Sequence, residues 1–150
     1  MNLSDQGIEL VKEFEGCVLR AYPDPATGGE PYTIGYGHTE RGKIKLGDTC
    51  TQEQADDWLR ADVQYAVAAV NHLVTVELEQ HQFDPLVSLT YNIGQVAFGN
   101  STLLKMLNAG QFNSVPGQFL RWDKGPNGQP LPGLTRRRKA EAAMFTGEAA

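Results

Sequence analysis

The sequence predicts an α+β protein, with a small lobe built on a β-hairpin or sheet and a larger lobe made of helices. Two patterns carry that expectation. "YTIGYGHT" alternates with a strand period, Thr33, Gly35 and Gly37 against Ile34, Tyr36 and His38. From Thr51 onward, capped apolar stripes at helical spacing follow one another to the end of the chain. The bulk composition is that of an ordinary globular protein: 150 residues, 41% hydrophobic and 21% charged, enough for one domain or two small lobes sharing a core.

Each element is justified in order. Ser4 is placed to cap a first helix running from Asp5 to about Val18, weakened at Gly16 and ended by Pro23 and Pro25. On a helical wheel with Ile8 at zero, Cys17, Leu10, Phe14, Val18 and Val11 fill an arc from roughly 180° to 300°. Glu15 lands at roughly 340°, between Val11 and Ile8, inside the apolar half. A carboxylate there is expected on a buried face, where lost hydration disfavours its charge. "PDPATGGEP" is dense in turn formers and reads as a loop. "YTIGYGHT" is a strand, returned by "TERGK" into "KIKLG", giving a hairpin or a three-stranded sheet.

"TQEQ" is a capping box, Thr51 facing Gln54, and Ala55, Trp58, Leu59, Val63, Ala66, Val67 and Val70 continue its stripe. "FDPLVSLTYNIG" begins a new helix with Asp84 as cap and Pro85 first, stopped by Gly94. "STLLKMLNAG" and "SVPGQFLRW" are shorter helices. After the loop "DKGPNGQPLPG", Thr135 caps a last helix through Phe145. The tryptophans and most other aromatics are expected in the core.

Charge and spacing exclude several classes of function. A net charge of −5 argues against a nucleic-acid binder. The basic run Arg136-Arg137-Arg138-Lys139 is expected to be a solvated helix face. His38, His72 and His81 have no metal-ligand spacing with each other or with the cysteines. Cys17 and Cys50 are expected as small apolar residues, with a bridge between them the lesser alternative. No apolar run reaches the roughly 20 residues that span a bilayer, and the N-terminus lacks the pattern of a signal peptide. Synthesis in the cytoplasm, without stable membrane insertion, is the expectation.

The chemistry lies with two carboxyls. Glu15, on an apolar face, suits a general acid. Asp24, nine residues on between two prolines in a polar loop, should stay ionised. One acid and one base in contrasting surroundings is what glycoside hydrolysis requires. A buried salt bridge for Glu15 and a loop-capping role for Asp24 are the competing readings.

"EGCVLRAYPD" followed by "YTIGYGHT" resembles the phage-type lysozymes, glycoside hydrolase family 24. The match continues through "QFDPLVSLTYNIG", "STLLKMLN", Arg121-Trp122 and "GLTRRRKAEAAMF". The loop between Asp24 and Thr33 departs from the family, being three residues longer than in its shortest members. The resemblance implies a two-lobed lysozyme-like fold and a single catalytic domain over residues 1–150. Its small lobe would cover about residues 13–60, and its helical lobe would run from about 61 and include the N-terminal helix.

By the same resemblance Glu15 is the general acid, and Asp24 and Thr33 hold the attacking water. Thr39, Tyr91, Asn92 and Arg121 contact the saccharide. His38 is a framework residue of the hairpin, and Arg137 supports the acid. The implied activity is that of a muramidase cutting the β-1,4 bond from N-acetylmuramic acid to N-acetylglucosamine, with inversion and without metal or organic cofactor. The implied biology is a phage or prophage endolysin, monomeric, made in the host cytoplasm and released by a holin to reach peptidoglycan glycan strands. A wall-binding module without turnover and a lytic transglycosylase are the two competing functions.

Overall fold

The computed structural model describes residues 1–148. Within them the chain forms two compact units: Lys12–Gln64, and Met1–Val11 together with the residues from Tyr65 on.

The first helix, α1, spans Asp5–Glu15, and the Ser4 hydroxyl caps it by accepting from the Gly7 N–H at 3.1 Å. It is shorter than the wheel suggested. Gly16 takes a left-handed φ of 69°, and Val18–Tyr22, read as the last stretch before the prolines end the helix, is strand β1 instead. β1 pairs antiparallel with β2 (Thr33–Gly35), and β2 with β3 (His38–Thr39), giving one three-stranded sheet in the order β1-β2-β3. The "YTIGYGHT" stretch is therefore a hairpin in itself, with Ile34 opposite His38. "KIKLG" is not the third strand; β1 takes that place, and the chain meets β1 only just after the segment, through a bridge between Arg20 and Thr49.

This smaller unit is held by Ala21, Ile34 and Ile44, with Tyr32, Cys50 and Trp58 packed against them. Helix α2 (Gln52–Asp62) lies on the sheet and carries the expected capping box, Thr51 Oγ1 accepting from Gln54 N–H and Gln54 Oε1 from Thr51 N–H. Cys17 is exposed, Cys50 half-buried, and both are free thiols. Burial, and then the neighbouring Cys17, push the Cys50 thiol above its ordinary value.

The larger unit contains α3 (Gln64–Leu73), α4 (Gln80–Ile93), α5 (Gln95–Gly99), α6 (Thr102–Asn108), α7 (Val115–Phe119) and α8 (Pro132–Phe145). Short 3₁₀ turns flank α7 at Phe112–Ser114 and Leu120–Trp122. All residues of α4 from Phe83 to Thr90 are buried, so it is the central helix, wrapped on every side. It starts four residues before the expected cap. Asp84 is 1% exposed and spends its carboxylate on Ser4 and Gln80, while Gln82 turns back to the Glu79 N–H at 2.9 Å. Pro85 thus sits inside the helix, and Gly94 ends it as expected with φ 93°.

Helix α8 likewise begins early, with Pro132 in its first turn. Thr135 is inside it, and its hydroxyl donates to Asp123 Oδ2 at 2.8 Å. The basic run is only half solvated: Arg136 and Lys139 are exposed, but Arg137 and Arg138 are 3% and 0% exposed. Glu141, one turn further on, neutralises both. Among the described residues no helix is long and apolar enough to cross a membrane.

Candidate active site

Glu15 is the last residue of α1 and half-buried. The wheel had placed it on a fully buried face. The helix that would have buried that face stops at Glu15 itself, so the carboxylate sits at a helix end beside the turn through Gly16.

β1 then separates Glu15 from Asp24. The end of β1 nearer Glu15 pairs Val18 with Gly35, while the far end pairs Tyr22 with Thr33. Between these points three residues of β1 face one of β2, so the strand bulges. Asp24 follows Tyr22 by two residues, and Thr33 has Tyr22 on one side and Thr39 on the other. The sheet register thereby brings Thr33 and Thr39 together at the end from which the Asp24 loop departs.

Asp24 is firmly held in its loop. Asp24 Oδ1 accepts from the Ala26 N–H at 2.7 Å. Its N–H donates to the Gly29 carbonyl at 2.9 Å, and its own carbonyl accepts from Gly28 at 2.7 Å. The loop wraps around Asp24 rather than leaving it loosely placed, as the competing loop-capping reading expects.

His38 is 6% exposed and stacks on Trp58, with ring centroids 4.5 Å apart and planes within 5°. Its Nδ1 meets Asp62 Oδ2 at 2.8 Å and its Nε2 meets Glu40 Oε1 at 3.2 Å. Both ring nitrogens are thus occupied by neighbours that fix β3 to α2. A second cluster was not anticipated from sequence. Gln52 Nε2 donates to Tyr36 Oη and to Asp56 Oδ1, both at 2.9 Å, and Lys12 Nζ lies 3.1 Å from Asp56. The Gln52 hydrogen bond, with Lys12 behind it, holds the Asp56 carboxyl below its ordinary range. The spacing of Gln52 and Asp56 on one helix face was the available signal.

The remaining candidates lie on the helical unit. Tyr91 is half-buried; its carbonyl accepts from Tyr65 Oη at 3.0 Å, and the two rings are 5.9 Å apart. Asn92 and Arg121 are exposed. Arg137 is buried, with Nε 3.3 Å from Glu141 Oε2 and Nη2 3.2 Å from the Ser88 carbonyl. Arg138, Glu141 and Ser88, none of them singled out from sequence, complete a buried polar network around it.

A phage lysozyme family model matches residues 12–141, from before Glu15 to Glu141. The chain belongs to the phage lysozyme family. It is 44% identical to an endolysin of Acyrthosiphon pisum secondary endosymbiont phage 1, over 97% of this chain and 98% of that one. It is also 44% identical to an endolysin of Bacillus phage B103, of which it spans 56% of the length. Among solved structures, the muramidase domain of SpmX from Asticaccaulis excentricus superposes with a TM-score of 0.87. It is 41% identical over 96% of this chain and 97% of that one. Glu15 at the end of α1, Asp24 in the loop after β1 and Thr33 on β2 all belong to the Lys12–Gln64 unit.

Proposed function

We propose that this chain is an endolysin muramidase that hydrolyses the β-1,4 bond between N-acetylmuramic acid and N-acetylglucosamine in peptidoglycan. Glu15 protonates the leaving oxygen. Asp24, with the Thr33 hydroxyl, holds a water on the opposite face of the sugar and takes its proton as it attacks, so the configuration inverts. Two carboxyls and a water suffice for this chemistry. Thr39, Tyr91, Asn92 and Arg121 contact the glycan, and Arg137 keeps the supporting role that the resemblance gives it. The protein acts as a monomer, is made in the cytoplasm and reaches the wall through a holin.

One observation carries the reading. A family match covers residues 12–141, and within it a single small unit holds Glu15 at a helix end, Asp24 in a self-bonded turn and Thr33 opposite Tyr22, which supports these roles. A wall-binding module has no use for that trio. A lytic transglycosylase needs the acid and not the base.

Digestion of purified peptidoglycan tests all three functions at once. Hydrolysis with inversion gives hydrated muropeptides whose first-formed reducing end is the α-anomer by NMR. A 1,6-anhydro product lighter by one water makes the enzyme a transglycosylase, and an initial β-anomer makes Asp24 a nucleophile. Glu15→Gln should keep the fold and lower turnover about 10²- to 10⁴-fold. More than a tenth of wild-type activity in that variant would falsify the assignment of the acid.

A further inference from the structure

Asn92 stands near the C-terminal end of α4, exposed, and its side-chain Oδ1 accepts from Nη2 of Arg138. Arg138 is itself 0% exposed. Its Nε donates to the Trp122 carbonyl at 2.9 Å and its Nη1 to Glu141 Oε1 at 2.5 Å. The other oxygen of Glu141 accepts from Ser88 Oγ at 2.5 Å and from Arg137 Nε at 3.3 Å. The planar guanidinium is therefore tied to a different acceptor through each of its three nitrogens, and the carboxylate behind it is tied as well.

A side-chain amide is ordinarily ambivalent. A half-turn about its last torsion exchanges donor and acceptor, so an exposed asparagine recognises either kind of group. Arg138 removes that freedom, because a guanidinium has only donors. Turning the Asn92 amide over would set N–H against N–H and leave a buried guanidinium arm without an acceptor, a costly arrangement. The Nδ2 group, with two N–H bonds, is consequently the end of Asn92 turned away from Arg138.

We propose that Arg138 is a positioning residue that fixes Asn92 as a hydrogen-bond donor, so that this point of the helical unit selects an acceptor on the glycan. The acceptor it fits is the acetamido carbonyl of an N-acetylated sugar. A free amine at the same sugar carbon, protonated at neutral pH, presents donors to a donor and a positive charge toward Arg138. The inference rests on the muramidase reading and gives Asn92, as Arg138 orients it, a part in recognising the N-acetyl group that this substrate carries.

The test compares fully N-acetylated glycan strands with the same strands partly de-N-acetylated. Asn92→Asp keeps an acceptor facing Arg138 and replaces the outward donor with an acceptor. It should raise KM on the N-acetylated strands about five- to tenfold, with kcat within about twofold, which is the loss of one hydrogen bond. The preference in kcat/KM for N-acetylated over de-N-acetylated strands should fall by a similar factor. Arg138→Lys keeps a cation beside Glu141 but loses the fork. It should shift KM and the preference in the same direction, and combined with Asn92→Asp it should add nothing further.

Unchanged KM and preference in Asn92→Asp overturn the proposal. A folded Arg138→Lys with wild-type KM and preference overturns the positioning role. Should Arg138→Lys not fold, NMR of the wild-type Asn92 side-chain amide decides. Its Nδ2–H signals must move with N-acetylglucosamine oligomers and not with glucosamine oligomers, and an equal response to both overturns the inference. Wild-type protein that releases no reducing ends sinks the muramidase reading instead, and the NMR titration still judges this one.

Discussion

Glu141 shows how much one residue decides. It is 0% exposed, and its two oxygens serve Arg138, Arg137 and Ser88. Burial pushes its carboxyl upward, while the two guanidiniums pull the other way. With a cation on each oxygen at hydrogen-bond distance, the group functions as their counter-charge. Glu141→Gln takes the counter-charge from buried Arg138 and one charged partner from Arg137, and breaking a buried pair from one side costs about 3–5 kcal/mol. A urea titration with an unchanged m-value should show a loss of that size. A loss under about 1 kcal/mol would mean that the arginines find other partners or water.

At the scale of elements, the small sheet depends on two glycines with the same backbone requirement and different surroundings. Gly35 and Gly37 have φ of 68° and 78°, the left-handed region where a side chain costs about 1–2 kcal/mol. A Cβ on Gly37 would meet open space, whereas one on Gly35 would lie 3.2 Å from the Ala55 Cβ of α2. Gly35→Ala should therefore lose more stability than Gly37→Ala, and push α2 away from β2. Thermal unfolding of the two variants gives the order, and equal melting temperatures would show that α2 yields without cost. The packing of α2 on this sheet also carries the His38–Trp58 stack, so the same variant should disturb the hairpin that holds Thr33 and Thr39.

For the whole molecule, acid should be the stress that unfolds it. Asp123 is held below its ordinary range by its hydrogen bonds from Lys124 and then Thr135, and Asp56 by Gln52 and Lys12. A carboxyl with a lowered folded pKa contributes stability that is present above the unfolded value of about 3.9 and lost as pH falls through the folded value. The melting temperature should be flat with respect to these two groups above about pH 5 and fall below about pH 4. Asp123→Asn should make the fall shallower while lowering the neutral-pH value, because the amide keeps the shape but not the charge for Lys124. An unchanged acid slope in that variant would remove Asp123 from the account.

Several features were legible in the sequence because they are local: the Thr51 capping box, the Ser4 cap, the stop at Gly94, the strand at Thr33–Gly35, and the motif string that identifies the family. The choice of Glu15, Asp24 and Thr33 as candidates rests on the same motif order, which is a property of the chain alone. Tertiary structure decided the rest. Val18–Tyr22 has apolar residues at helical spacing, and it becomes a strand because Thr33–Gly35 offers it a partner. Asp84 and Thr135 look like caps, but Ser4 and Asp123, 80 and 12 residues away in sequence, claim their side chains and the helices begin earlier. Arg137 and Arg138 look solvated until Glu141 and Ser88 close over them. For Asp84 and Thr135 a polar side chain had a local capping role and a partner elsewhere. The partner won because burial leaves little water to satisfy the groups otherwise.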